Sequence, residues 1–387
     1  MPTMRTMPII VIVVLLSLFS AAIAGAAPES RRGGPSPSFE LAVMETPRGT
    51  PLADIISGRA QPGFTPLMSA GTRFDAKPDD AVWLRVRTTL PPGPSERWSI
   101  DVVRVPIDRL RLRLPDGDRP VALVVFSHGL GGSLDGGTEW AQAWAEAGIA
   151  TLHLQHAGSD RAIWRGGLQA VKAAASAEQL IERGHDVQFA VEQLLKLQKD
   201  GNGPWARVRP EALGMSGHSF GAQTTLAVAG RDFRDRSAPD LTESHFKAFA
   251  AFSPSAGHFP GGIKGITRPM LCLTGSLDGN PIGQERDGRY RRAVYDTLPA
   301  GAKAQLWLEG ADHMSFGGGG ERGAGFGQRL LGRERERVPE QLAAHHAALI
   351  KSISTDWWRW RLLEDEGALT RLQAPKGLDA KDEWLQG

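Results

Sequence analysis

Cysteine is almost absent: Cys272 is the single one in 387 residues. No intrachain disulfide can form, so stability has to come from a packed core. Cys272 stands within the apolar run Met270-Leu271-Cys272-Leu273, where a buried, inert thiol is expected. An excess of one charge is also missing, since 45 Lys and Arg face 43 Asp and Glu. Without a strong field or a basic block, nucleic acid is not an expected partner. The chain lacks H-E-x-x-H, G-x-x-x-x-G-K-[ST], and a G-x-G-x-x-G in a strand–helix setting. Neither a metal nor a nucleotide cofactor is therefore expected. His153 and His156 have ligand-like spacing, but no Cys or carboxylate cluster completes the set.

An apolar run stands at the N-terminus. Arg5 precedes the stretch Ile9 to Phe19, interrupted by Ser17 and followed by Ala22-Ile23-Ala24 and Ala24-Gly25-Ala26. A positive start, a short apolar stretch and small residues at A-x-A positions predict a cleaved signal peptide over 1–26. The competing reading is a membrane anchor, for which the run is short and lacks a charged stop. No Cys near the cleavage site argues for a lipoprotein. An exported protein, periplasmic or secreted, is expected, without stable membrane insertion after cleavage.

Residues 27–38 are rich in Pro, Gly and Ser and predict a flexible tether. Residues 39–97 are poorly periodic, apart from the alternating strand pattern Val82-Trp83-Leu84-Arg85-Val86-Arg87. They read either as a small β-rich subdomain or as an irregular apron on the main fold. Ser99 to Val105 and Arg109 to Leu114 alternate and predict an antiparallel hairpin opening a domain over 98–375. Apolar runs follow at 121–126, 149–154, 212–215, 246–252, 270–273 and 304–308. Helical stretches fall between them at 139–147, 187–197 and 220–229, with more from 341 onward. Alternation of this kind predicts a mostly parallel central sheet with helices on both faces. Residues 155–186 predict a short cap over the sheet's C-terminal edge. The glycine-rich 316–336 predicts a mobile surface loop, and 376–387 a C-terminal tail.

The chemistry centres on Gly217-His218-Ser219-Phe220-Gly221. In a chain with 46 glycines a G-x-S-x-G arises readily by chance, so the pattern alone is weak. Its setting is stronger, because an apolar strand precedes it and a helix-forming run follows. A strand–turn–helix of this kind projects the serine hydroxyl, and flanking glycines relieve the crowding. A second motif, His128-Gly129-Leu130-Gly131-Gly132, directly follows the strand ending at Phe126-Ser127. Acyl transfer needs donors for an oxyanion, supplied by the N–H after the nucleophile and one from an early loop. These are Phe220 and Leu130, with Gly131 as a fallback, while the His128 ring is expected to brace the loop.

A base and a carboxylate complete such a site. Of His245, His258, His313, His345 and His346, only His313 follows a strand-like run at the right edge. His345 and His346 read as surface residues of a helix. Asp278 follows a strand and a Gly turn, with Asp312 and Asp287 as competitors; Asp312 adjoins His313, so its side chain should diverge.

FSHGLGGS, LQHAGSD, GHSFGAQTTLAVAG, GSLD and GADHMSF together resemble the dienelactone-hydrolase-related branch of α/β hydrolases. The first and third also resemble platelet-activating-factor acetylhydrolases. The likeness covers roughly residues 120–375, including the helix around Trp357-Trp358-Arg359-Trp360. It implies the α/β-hydrolase fold, a triad of Ser219, Asp278 and His313, and oxyanion donors at Leu130 and Phe220. Dienelactone hydrolases use a Cys nucleophile where this chain has Ser219, so the likeness carries no substrate. The acetylhydrolases take their acid after the preceding strand, which here ends Ala251-Phe252-Ser253-Pro254-Ser255 without a carboxylate. The expectation is a carboxylic ester hydrolase acting on a small-molecule ester. The alternatives are a lipase or phospholipid acetylhydrolase, and a non-catalytic exported binding protein.

Overall fold

A computed structural model describes residues 110–115, 118–201, 203–233, 238–257, 259–319 and 338–387. It also describes the backbone of 38–45, 82–89 and 99–106. The predicted leader and nearly all of the predicted tether lie outside these residues, as do 320–337 of the glycine-rich segment. The chain divides into two units, Met1–Arg109 and Leu110–Gly387. In the first, β1 (Ser38–Glu45), β2 (Val82–Thr89) and β3 (Ser99–Pro106) form a three-stranded antiparallel sheet in that order.

The second unit holds an eight-stranded sheet. Its strands are β4 (Leu110–Arg113), β5 (Val121–Ser127), β6 (Ile149–Leu154), β7 (Val208–His218), β8 (Phe246–Phe252), β9 (Met270–Leu277), β10 (Lys303–Asp312) and β11 (Glu383–Gln386). The order across the sheet is β11-β10-β9-β8-β7-β5-β6-β4. Every neighbouring pair from β10 to β6 is parallel, and the two edge strands are antiparallel to their neighbours. All six apolar runs found in the sequence are strands of this sheet.

Helices cover both faces. They are α1 (Thr138–Glu146), α2 (Gly167–Ala174), α3 (Ala177–Lys199), α4 (Phe220–Val228), α5 (Arg292–Thr297), α6 (Glu340–Leu363) and α7 (Glu366–Gln373). Burial on both faces is why β5 and β6 read as unbroken apolar runs. Val121, Leu123 and Val125 join one core with Val187 and Val191 of α3, Leu226 of α4 and Val294 of α5. The alternate residues Ala122, Val124 and Phe126 join the other with Trp140 and Trp144 of α1 and Trp357 and Trp358 of α6. Three of the four buried indoles in that second core find an acceptor that offsets desolvation, while Trp358 Nε1 has none. Trp140 donates to Phe316 O at 3.1 Å, Trp144 to Ser354 Oγ at 2.9 Å and Trp357 to Phe249 O at 3.1 Å.

Four expectations need correction. The hairpin of 99–105 with 109–114 does not form: β3 pairs with β2, and β4 pairs antiparallel with β6. Alternation marks a strand but not its partner, and the open edge of β6 takes the nearest one. The last residues are no free tail, because β11 pairs with Ala304–Trp307 of β10. Trp384 donates to Leu372 O at 2.7 Å, and Glu383 accepts two bonds from Arg292, so the segment is docked on the sheet. Phe316 to Gly318, the start of the expected surface loop, are buried and meet α1 through Gly137 N–H to Gly317 O at 2.8 Å. His346 is buried too, on the inner side of α6, with Nε2 2.9 Å from Glu309 O.

Trp357 fills the second core and is fully buried. Trp357→Ala should lower unfolding free energy by about 3–5 kcal/mol, read from the urea midpoint at constant slope. A loss below about 1 kcal/mol would contradict this packing.

Candidate active site

The chain runs from β5 outward to β6, then crosses back to β7 on the other side of β5 and continues to β8, β9 and β10. The strand order therefore reverses between β5 and β7. In open parallel sheets a crevice forms at such a reversal, outside the carboxyl ends of the strands. Ser219, the His128–Gly132 loop, Asp278 and His313 follow β7, β5, β9 and β10 respectively.

Ser219 has φ 58° and ψ −112°, a strained conformation for a residue with a side chain. It is held there from several sides. Its N–H donates to Phe252 O at 2.9 Å and its carbonyl accepts from Gln223 N at 3.1 Å. A Cβ on Gly221 would run into the Ser127 carbonyl, and one on Gly217 into the Gly221 carbonyl. Both flanking glycines are thus required by contact between β5 and the turn. The Ser219 side chain makes no cap bond to α4, which leaves its hydroxyl for other partners.

That partner is His313, the first residue of the short turn His313–Phe316. His313 Nε2 lies 2.8 Å from Ser219 Oγ, and Nδ1 lies 2.8 Å from Asp278 Oδ1. The consistent assignment has Nδ1–H donating to the carboxylate and Nε2 accepting from the hydroxyl. Asp278 is fully buried and its Oδ2 accepts from Thr274 Oγ1 at 2.9 Å. Burial alone would raise its pKa, but the Arg291 charge and then the His313 hydrogen bond hold it below the ordinary value. Arg291 Nε sits 2.9 Å from the same Oδ1. Its remaining donors go to the carbonyls of Ser253 at 2.7 Å, Pro254 at 3.2 Å and Gly279 at 3.2 Å. Arg291 Nη2 and His313 Nδ1 are 3.1 Å apart, and both carry protons. The carboxylate that both groups contact keeps that approach tolerable.

His218 braces His313 from the other side. Burial pushes its pKa down to about 3, so it is neutral, and its Nε2 lies 2.9 Å from the His313 carbonyl. Asp312 turns away, accepting from Ser315 N at 2.9 Å and Ser315 Oγ at 3.0 Å as the cap of its own turn. Asp287 Oδ1 accepts from Arg289 N in an exposed loop. His245 pairs with Glu243 at 2.7 Å and His345 with Asp382 at 3.1 Å, while His258 lies outside the described residues. Of the sequence candidates, the structure brings together Ser219, His313 and Asp278.

In the loop after β5, Gly131 N–H donates to Ser159 O at 2.8 Å and Gly132 N–H to Gly129 O at 3.0 Å. Gly131 is thereby committed and cannot serve as the fallback donor. Among the described residues the Leu130 N–H meets no acceptor. Phe220 opens α4, so its N–H has no intrahelical acceptor and lies at the positive end of the helix. The loop lies over the serine, since a Cβ on Gly129 would be 3.5 Å from Ser219 Cβ. Within 155–186 stand the turn Arg161–Gly166 and α2, and Trp164 Nε1 ties the turn to Gly131 O at 2.9 Å.

His153 and His156 are held by separate partners. His153 Nδ1 meets Gly136 O at 3.1 Å, and His156 is held by Ser127 and Asp186. The described residues with convergent ligand atoms are His345, Asp379 and Asp382. There Asp382 already accepts the N–H groups of Glu309 and Asp379, so the group braces the start of β11. The Cys272 thiol is fully buried and pushed up to about 12 by burial. No helix among the described residues is long and apolar enough to cross a membrane.

Arg291 and His218 are the residues that sequence reasoning missed. Arg291 sits in an Arg-rich stretch that marks none of its members, whereas His218 occupies a variable position of the serine motif. Compared with models of known protein families and with curated proteins, the chain matches none.

The Asp278 pKa is depressed in the folded state, so its stabilisation is full above the unfolded value near ~3.9 and is lost as pH falls through the folded value. The stability gap between wild type and Asp278→Asn should therefore stay constant from about pH 7 to 5 and narrow below about pH 4. A gap that widens on acidification would reverse the sign. Thermal melts across pH decide it.

Proposed function

We propose that the protein is a serine hydrolase of the α/β-hydrolase fold that cleaves carboxylic esters through an acyl-enzyme. The observation that carries this reading is the continuous series Ser219 Oγ, His313 and Asp278, closed by two contacts of 2.8 Å. The fold assignment draws on the mostly parallel sheet, the strand–turn–helix around Ser219 and the chain order Ser, Asp, His.

His313 takes the hydroxyl proton as Ser219 Oγ attacks the ester carbonyl. Asp278 keeps the Nδ1 proton in place and stabilises the imidazolium that results. Negative charge on the former carbonyl oxygen is received by the N–H groups of Leu130 and Phe220. Collapse expels the alcohol, which takes its proton from His313 Nε2. Water then attacks the acyl group with His313 again as base, and the acid and the free serine are released. Every group in this cycle belongs to the chain, so the chemistry calls for no cofactor. The leader-like pattern of residues 1–26 supports export, and with it ester substrates outside the cytoplasm.

A fluorophosphonate probe, which phosphonylates an activated serine, tests the reading. Wild type should label covalently and lose esterase activity, while Ser219→Ala should not label and should fall on the order of 10⁴-fold or more in kcat. Absence of labelling in folded wild type, or equal labelling of Ser219→Ala, would overturn it.

A further inference from the structure

Behind the loop that follows β5 lies a second set of Ser, His and Asp side chains. Ser127 Oγ is 2.8 Å from His156 Nε2, and His156 Nδ1 is 3.0 Å from Asp186 Oδ2. Ser127 and His156 are fully buried, so no substrate reaches them and the set is not a second catalytic centre. At its head stands Arg183, also fully buried, whose Nη1 donates to Ser127 Oγ at 3.4 Å. The bonds have one direction, from Arg183 to Ser127 to His156 to Asp186. Arg183 and Asp186 lie three residues apart on α3 and so share a face.

The other donors of Arg183 converge on the loop. Nη1 donates to His128 O at 2.8 Å and Nε to Ser159 Oγ at 2.8 Å, while Nη2 reaches Gly129 O at 3.4 Å beside His128 Nδ1 at 3.2 Å, both nitrogens turning their protons to that carbonyl. The backbone of Ser159 in turn accepts the Gly131 N–H. His128 grips the same carbonyl: its Nε2 accepts from His156 N at 3.1 Å, leaving Nδ1–H for Gly129 O at 2.7 Å. Gly129 C=O and Leu130 N–H belong to one peptide. A trans peptide points these groups in opposite directions, so whatever holds the carbonyl also aims the N–H. The guanidinium lies 4.5 Å from the ring centroid of Phe220, the residue that supplies the other donor. Burial lowers the Arg183 pKa to about 9, with Asp186 and Asp160 opposing the shift, so it is a cation at neutral pH.

We propose that Arg183 is the positioning residue of the oxyanion site, fixing the Gly129–Leu130 peptide so that the Leu130 N–H is preset for the transition state. It touches neither substrate nor Ser219 in this role. The inference rests on the ester-hydrolase reading above. A preset donor acts on developing charge, so its loss lowers kcat and leaves ground-state binding largely intact.

The test compares wild type, Arg183→Met, Arg183→Lys and Ser159→Ala on 4-nitrophenyl acetate, with phenylboronic acid as a tetrahedral-adduct probe. Folded Arg183→Met should lose about 100-fold in kcat, with KM within about threefold and boronate affinity falling in parallel with kcat. Arg183→Lys, which keeps the charge but not the fork, should recover part of that loss. Unchanged kcat, or a loss expressed mainly as a rise in KM, would overturn the proposal. If Arg183→Met does not fold, Ser159→Ala decides: a several-fold fall in kcat at constant KM supports it and an unchanged kcat overturns it. Inactive wild type would contradict the hydrolase reading itself, and that is seen before any variant is compared.

Discussion

The carbonyl of Ser127, at the end of β5, rests against Gly221 in the first turn of α4, and no side chain fits between them. This contact forces β7 to pass into α4 through a single strained residue, Ser219. The strain is tolerable because the Phe252 carbonyl and the helix fix the residue on both sides. Once Ser219 is set, the parallel register of β5, β7, β8, β9 and β10 brings their carboxyl ends to one edge. The loop after β5 and the residues after β9 and β10 then meet the hydroxyl without long excursions of chain. The candidate site is therefore a consequence of sheet order more than of any one motif.

Two buried arginines stiffen that edge from opposite sides. Arg291 ties Asp278 to the carbonyls of Ser253, Pro254 and Gly279, while Arg183 ties the loop after β5 to α3. Each cation has nearby carboxylates and several carbonyl acceptors, which is what makes its burial tolerable. Asp278 and Arg291 face each other in the interior, and the carboxylate stays ionised there. A charge held in this way neither wanders nor needs water, so the tautomer of His313 is fixed.

Much of this was legible in the sequence, for local reasons. The unbroken runs at 121–126 and 149–154 announce strands covered on both faces, and the glycines at 217 and 221 announce a turn that excludes side chains. Asp278 and His313 were legible because each follows an apolar run at the position where a strand gives way to a turn. The partners of β3 and β4 were not, since alternation fixes a strand's faces and leaves its neighbour open. Burial of His346, Arg183 and Arg291 was equally hidden. An Arg or His on a helix or among other charged residues reads as solvated, and only the assembled fold reveals the carbonyls that receive it. The expectation of export stands apart, resting on residues 1–26 beyond the described part of the chain.

The central claim is that Ser219 carries the acyl group during turnover. Rapid mixing of enzyme with excess 4-nitrophenyl acetate, followed by an acid quench and peptide mass analysis, tests it most directly. We predict one acetyl group on the peptide that contains Ser219, formed with a burst of nitrophenol approaching one equivalent per site. Steady hydrolysis with no acylated peptide in an enzyme whose deacylation is slow enough to trap, or acetylation at another residue, would contradict the account.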